Sequence, residues 1–544
     1  MKQNKELQKI NLINKKIPDA AKVFFTLLAI EISYEFLIQQ KGIAEIIWLA
    51  PFLALLYSIT FAIIFRYDIT RTSICYLSLP YMIFFPGWLD TEAAIAMTLI
   101  FSYCLYRTFK LDTPIKIRHT HYGEFLAFTT ILIWVNLSGA GGYGYQTSDY
   151  TISNGRLLDL INHSWPVHYG PDQNFIYYIG YFLPSAVIGK IFGYNIGMQS
   201  MFLWTVIGVS IAIRWMSTLS GWKLSAPLVI AFIFFGPMDF FGSYYVFEKL
   251  NAGSYENSQN TLHEFFNKST DNIDFWTSID SGFFIGNFLS NSFQLYWSPQ
   301  QAIAGWICAG MLMHIFLKEK FEQFIFIFIL LALWAPMAMI AIIPIVIGVI
   351  FISMKKDWRS IITFENTIGA GSILLLFMIF YSAGSIAKHP SYWIFEAKKP
   401  DEIFLLFIFS FGIYLVSITP SLKTLEHSQK IWLALLAVSF IALPLKTYGE
   451  YNDLLCRGSA PLMFLLLVFL LKNIKACWED NKVRSFALIA LLAIGTSSAI
   501  MQNRDAITRY GITQPIATVI SYPNAYPNLG DDNNIFQKYL ARKK

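Results

Sequence analysis

Apolar blocks of 14 to 23 residues recur along this chain from Lys22 to Met501, separated by short stretches that hold most of the charge. No other feature restricts the fold as much. Wound as helix, most of these blocks are long enough to cross a hydrocarbon core of about 30 Å. The competing reading, one very large soluble all-α domain, needs a charged skin of roughly a quarter of its residues. This chain of 544 residues has 14% charged and 55% hydrophobic residues, with a mean hydropathy of +0.48. The pattern therefore predicts an all-α polytopic membrane protein of about fifteen transmembrane helices. The basic start, MKQNKELQKINLINKK, runs into an apolar block that continues past signal-like length with no small-residue cleavage site, so no cleavable signal is expected.

Spans are expected at 22–39, 44–65, 73–88, 91–109, 123–138, 199–217, 224–242, 299–317, 322–335, 337–354, 362–384, 402–419, 430–446, 458–472 and 484–501. Placing the N-terminus in the cytoplasm puts Arg66/Arg71, Arg107/Lys110, Arg214/Lys223, Lys355/Lys356/Arg359 and Lys472/Lys475 on the inner side, as positive-inside topology requires. Residues 174–193 decide the parity, because a span there would move the later clusters outside. They are read as an interfacial helix, with Tyr177, Tyr178, Tyr181 and Pro184 suited to the headgroup region. The organisation is then an N-terminal membrane segment (1–138), a first outer loop with juxtamembrane helices (139–198), a helix pair (199–242), a second outer loop (243–298), C-terminal membrane helices (299–501) and an outer tail (502–544). The net charge of +6 is spent on topology and does not signal nucleic acid. Cys75, Cys104, Cys308, Cys456 and Cys477 have no paired spacing, which argues against a disulfide framework or a zinc site. The Ile/Phe/Lys/Asn bias points to a bacterial inner membrane, with the large loops periplasmic.

Glycines at 139, 141, 142 and 144 let the chain turn sharply into the first outer loop, which places Asp149 just above the bilayer surface. An amphipathic stretch follows, with Leu157, Leu158, Ile161 and Trp165 on its apolar side and Arg156 and Asp159 spaced to pair on a helix. A carboxylate at this boundary suits proton abstraction from an acceptor hydroxyl; the plainer alternatives are that Asp149 caps the helix and that Asp159 satisfies Arg156. Asp239, in the mostly apolar segment FFGPMDFFGSYY, is a second candidate, as metal ligand or acceptor contact, against a solvated loop carboxylate. Trp297, Gln300 and Gln301 could recognise a sugar by stacking and amide hydrogen bonds, or serve as an interfacial anchor and a polar helix start. Late in the chain, LPLKTYGEYNDLLCRGSAP packs Lys446, Glu450, Asp453 and Arg457 into a short outer loop that breaks the inside-positive pattern. Arg457 or Lys446 could hold the phosphate of a lipid donor; alternatively Arg457 pairs with Asp453 one helical turn earlier.

The span that ends in an acidic loop, followed by a membrane-parallel helix, a WPVHY stretch and YYIGYFLP, resembles the first outer loop of the GT-C superfamily of membrane glycosyltransferases. That superfamily includes the protein O-mannosyltransferases and the bacterial aminoarabinose transferase. The likeness covers roughly residues 123–350. Ser148-Asp149-Tyr150 carries a single acid where many members have an Asp-Glu pair. The resemblance implies a GT-C-like bundle, a polyprenyl-phosphate-linked sugar donor and Asp149 as general base. It leaves open a divalent cation such as Mg or Mn.

The sequence thus predicts an inverting glycosyltransferase acting on the periplasmic face. Asp149 is the expected catalytic residue, and Arg156, Asp159, Asp239, Trp297, Gln301, Lys446 and Arg457 are expected to contact substrate. Its partners would be the lipid-linked donor, a glycan, lipid or protein acceptor, and membrane lipids. Two other readings compete. An O-antigen-type polymerase or ligase would use loop arginines, of which the first outer loop has only Arg156. A lipid-linked glycan transporter would place ionisable residues near the midplane in related halves; Glu31, Glu35 and Glu365 are the clearest midspan charges, and no half-to-half symmetry is visible.

Overall fold

The computed structural model describes residues 68–111, 121–251, 286–384, 391–397, 400–449, 452–522 and 529–543. The chain divides into a unit of residues 1–72 and a unit of residues 73–544, and the second holds nearly everything described. The expected spans at 22–39 and 44–65 lie outside the described residues.

The early helices are α1 (Ile69–Trp88), α2 (Thr91–Leu111) and α3 (His121–Leu137). Asp90 caps α2 by accepting the Ala93 amide at 2.8 Å. The long connection 139–198 contains α4 (Tyr150–Asn162), the two-residue strand β1 (Asn174–Phe175) and α5 (Leu183–Phe192). Residues 174–193 are thus no single spanning helix. Gly193, at φ 92°, separates α5 from α6 (Tyr194–Ser220), which ends on left-handed Gly221.

Next come α7 (Ala226–Ile233) and α8 (Asp239–Asn251), where one span over 224–242 was expected. Pro237 cannot donate to a helical ladder and pushes Gly236 out of the helical region, so the chain breaks between them. After α9 (Asn291–Trp297) and α10 (Pro299–Leu317), the expected span 322–335 contains only the six-residue α11 (Phe324–Ile329) between short turns. The series continues with α12 (Pro336–Ile361), α13 (Ala370–Ser382, entered through a π-turn at Glu365–Gly369), α14 (Pro400–Phe407), α15 (Ile413–Ile418) and α16 (His427–Ala442). It closes with α17 (Asp453–Gly458), α18 (Ala460–Asp480), α19 (Lys482–Ile494), α20 (Ser497–Thr508) and strand β2 (Leu529–Gly530).

Among the described residues, seven helices are long and apolar enough to cross a membrane, or eight if α19 and α20, bent by 48°, form one span. This is an all-α membrane architecture. At its centre stand α10 and α18, packed against one another, with α6 against both. Trp134, Phe232 and Trp306 interlock there, with ring centroids 4.9 to 6.3 Å apart. Peripheral helices instead expose apolar side chains such as Phe351, Leu375, Met378 and Val416, as faces solvated by lipid do.

The tail does not hang free. From Ile512 to Val519 it lies along the start of α4, giving Ile512 O to the Gln146 amide (3.0 Å) and receiving Thr151 O at the Ala517 amide (3.2 Å). It then pairs β2 with β1, antiparallel, and ends with Arg542 N bonded to Trp88 O at 2.9 Å.

Candidate functional site

Asp149 is placed by a turn that only glycine makes cheaply. Gly139, Gly141 and Gly142 all have φ near +80°, and a Cβ on Gly139 would lie 2.5 Å from the Tyr145 carbonyl oxygen. Gln146 closes the turn: its Nε2 donates to Gly139 O at 3.0 Å, and its Oε1 accepts from Asn154 Nδ2 at 3.0 Å. The chain therefore enters α4 with Asp149 at the N-cap position. The Asp149 side chain makes no capping bond; its carboxylate faces the Arg457 guanidinium instead, Oδ2 to Nη2 at 3.8 Å.

Arg457 rides on α17. Asn452, left-handed at φ 49°, starts that short helix and accepts the Leu455 amide with its side chain. Asp453, one turn before Arg457, pairs with its Nε at 3.1 Å. Arg457 Nη1 donates to the Tyr178 hydroxyl at 2.9 Å. Tyr178 stacks on Tyr177 at 3.8 Å, and the Arg156 guanidinium lies 3.8 Å over the other ring. The result is a column running Arg156, Tyr177, Tyr178, Arg457, Asp149, drawn from α4, the segment after β1, and α17.

Asp149 keeps 42% of its side-chain exposure, and protein covers the remainder. Burial accordingly pushes its pKa above the ordinary carboxylate value; Arg457 and Arg156 pull it down and Asp453 pushes it up. Burial also works against the charge on Arg457, but Asp453, Tyr178 and Asp149 overcome it and keep the guanidinium charged. Such an arrangement offers a carboxylate that can take a proton, a cation that can hold an anion beside it, and aromatic faces that can carry an apolar or sugar surface.

The other expected site residues are distributed differently. Asp159 is buried in α4, where its Oδ2 accepts the Tyr169 hydroxyl at 2.6 Å and the Val519 amide at 3.1 Å, bracing helix against tail. Lys446 lies 5.0 Å over the Trp393 ring, on the same connection as Tyr448. Asp239 is buried at the first turn of α8, near enough for its charge to reach the Tyr414 phenol. Trp297 stacks on Phe293 at 5.2 Å and donates to Gln502 Oε1 at 3.1 Å. Gln301 is buried in α10 and accepts the Ala338 amide at 3.4 Å. The structure thus brings together Asp149, Arg156 and Arg457, with Trp297 packed beside them on the Phe293 and Cys456 cluster, while Asp239 and Gln301 belong to other packing sites.

Among the described residues, no three His, Cys, Asp or Glu side chains gather as a metal ion would need. The two carboxylates of the cluster, Asp149 and Asp453, both face the Arg457 guanidinium. Compared with known proteins, the chain matches no family model, no curated protein and no solved structure.

Proposed function

We propose that this chain is a GT-C-like inverting glycosyltransferase of a bacterial inner membrane, taking sugar from a polyprenyl-phosphate donor on the outer face. The observation that carries the reading is the 3.8 Å approach of Arg457 to Asp149. These residues lie about 300 positions apart in the sequence, and they are the two functions such a transfer needs side by side. The acceptor hydroxyl gives its proton to Asp149 as its oxygen attacks the anomeric carbon. The bond from that carbon to the donor phosphate breaks, and the departing phosphate keeps the electron pair. Arg457, with Arg156 behind the tyrosine pair, stabilises the negative charge that grows on that group. Tyr177 and Tyr178 supply the surface against which donor or sugar packs.

The decisive experiment uses the protein in lipid nanodiscs with radiolabelled polyprenyl-phosphate sugars and a membrane glycan extract as acceptor. Asp149→Asn is expected to abolish transfer while binding of undecaprenyl monophosphate persists; Arg457→Ala is expected to lose transfer and to weaken that binding measurably. Wild-type transfer by Asp149→Asn overturns the assignment. One observation favours the second reading, an O-antigen-type polymerase or ligase: two arginines, Arg156 and Arg457, flank the tyrosine pair. Acceptance of a lipid-linked oligosaccharide in preference to a single-sugar donor would select it.

A further inference from the structure

Helix α9, only seven residues long, is buried although Asn291, Ser292 and Gln294 make it polar. Buried amides and hydroxyls are costly unless bonded, so where its bonds go is informative. Asn291 and Ser292 donate to the Phe232 and Ile233 carbonyls of α7, whereas Gln294 and the Tyr296 carbonyl reach the two halves of the site. Gln294 Nε2 donates to the carbonyl of Cys456, the residue immediately before Arg457, at 2.5 Å, and to Ser459 Oγ at 3.0 Å. Its Oε1 accepts from Ser298 Oγ at 3.3 Å, and the Cys456 carbonyl, which can only accept, fixes the sense of the amide. Two residues on, the Tyr296 carbonyl accepts the Thr147 hydroxyl at 3.4 Å, and Thr147 lies two residues before Asp149.

From this geometry we infer that Gln294 is the positioning residue that sets Arg457 against Asp149, with α9 as the common brace of both. The inference rests on the proposed role of Arg457 in holding a lipid phosphate and adds a residue to it. Gln294 touches no substrate. It acts by anchoring both ends of the Cys456–Ser459 turn, so that a side chain as long as arginine starts from a fixed backbone. Without it, Asn452 still begins α17 and Phe293 still packs on Cys456, but the directional bonds to the Cys456 carbonyl and the Ser459 hydroxyl are gone, and the guanidinium loses its register against the Asp149 carboxylate and the Tyr178 hydroxyl. A fixed donor spares the ordering cost that a mobile one meets on binding an anion.

A double-mutant cycle tests it, with undecaprenyl monophosphate as probe and its affinity for the full chain in nanodiscs as readout. Gln294→Met keeps the volume and removes the donor. Affinity is expected to fall about tenfold, and the loss is expected to vanish in an Arg457→Ala background, because residues acting through one contact are not additive. Equal losses in both backgrounds would show a general packing role and overturn the inference. Unchanged affinity on Gln294→Met alone, beside a weakened Arg457→Ala, overturns it too. If Arg457→Ala leaves affinity intact, the phosphate role itself fails, and that outcome is distinct. Should Gln294→Met not fold, Ser459→Ala removes one of the two bonds and enters the same cycle, with a smaller loss in the same non-additive sense.

Discussion

The Asp159 carboxylate and the Val519 amide, 360 residues apart, share a hydrogen bond of 3.1 Å, and the same oxygen accepts the Tyr169 hydroxyl at 2.6 Å. A buried acid with these donors joins three segments: α4, the loop before β1, and the tail. Asp159→Ala leaves both donors without a partner, so a loss of about 3 kcal/mol is expected. Thermal unfolding in detergent measures it. Limited proteolysis should show new cleavage between 512 and 522, while the membrane helices stay intact.

Gly155 makes a sharper test of the same contact. Alanine normally stabilises a helix interior by about 1 kcal/mol relative to glycine. Here a Cβ on Gly155 would overlap the Ala517 carbonyl oxygen, a backbone atom that cannot swing aside. Overpacking of this kind costs roughly 1–3 kcal/mol, so the sign reverses. Gly155→Ala is expected to lower the melting temperature and expose the tail to protease, whereas Gly371→Ala, in α13 with open space around its Cβ position, is expected to be neutral or stabilising.

How much of this was legible follows from the range of each interaction. Apolar length is a local property, and it located α6, α10 and α16 within about five residues and the starts of α12 and α18 within two, while α12 and α18 run seven and eight residues past their expected ends, through charged turns that apolar length does not count. It failed at 224–242 and 322–335, where composition is apolar but the backbone breaks, the first at Gly236-Pro237. The site was half legible. Asp149 and Arg457 could be singled out because each sits oddly against its surroundings, an acid at a glycine-rich turn and a cation in an outer loop. That they meet was not, since no local pattern encodes a contact between residues so far apart. Tyr177 and Tyr178 read as headgroup aromatics although they pack in the column. Gln294 carried no signal at all: in SNSFQLYWSPQQ it is one polar residue among many, and only its bond to the Cys456 carbonyl gives it a role. The tail reads as loop because its order comes from β1, α1 and α4, not from itself.

Arg107 and Glu365 form a second pair of consequence. Glu365 is fully buried at the π-turn before α13, and its Oε1 accepts from Arg107 Nε at 2.8 Å, while Arg107 is itself half-exposed. Removing the cation strands a charge away from water. Arg107→Ala is therefore expected to cost about 3 kcal/mol, and Arg107→Leu combined with Glu365→Leu much less. Comparison of the three melting curves in detergent decides this; equal losses in single and double variants would refute it.

The pH dependence of the site follows from Asp149. Its pKa is raised in the folded protein, chiefly by burial, so the native state binds that proton more tightly than the unfolded chain does. The sign is then fixed: this group's contribution to stability falls as pH climbs from the ordinary carboxylate range through the raised value. Asp149→Asn removes a carboxylate whose charge is disfavoured by burial and leaves Arg457 with Asp453, so at neutral pH it is expected to melt no lower than wild type. In the proposed transfer, activity runs the opposite way, because Asp149 must be ionised to act as the base. The acid limb of the transfer rate is expected above the usual carboxylate range. Arg457→Gln deletes a cation that pulls Asp149 down, so whatever activity survives should show that limb at still higher pH. A limb that stays in place in Arg457→Gln would mean that the titrating group is not Asp149.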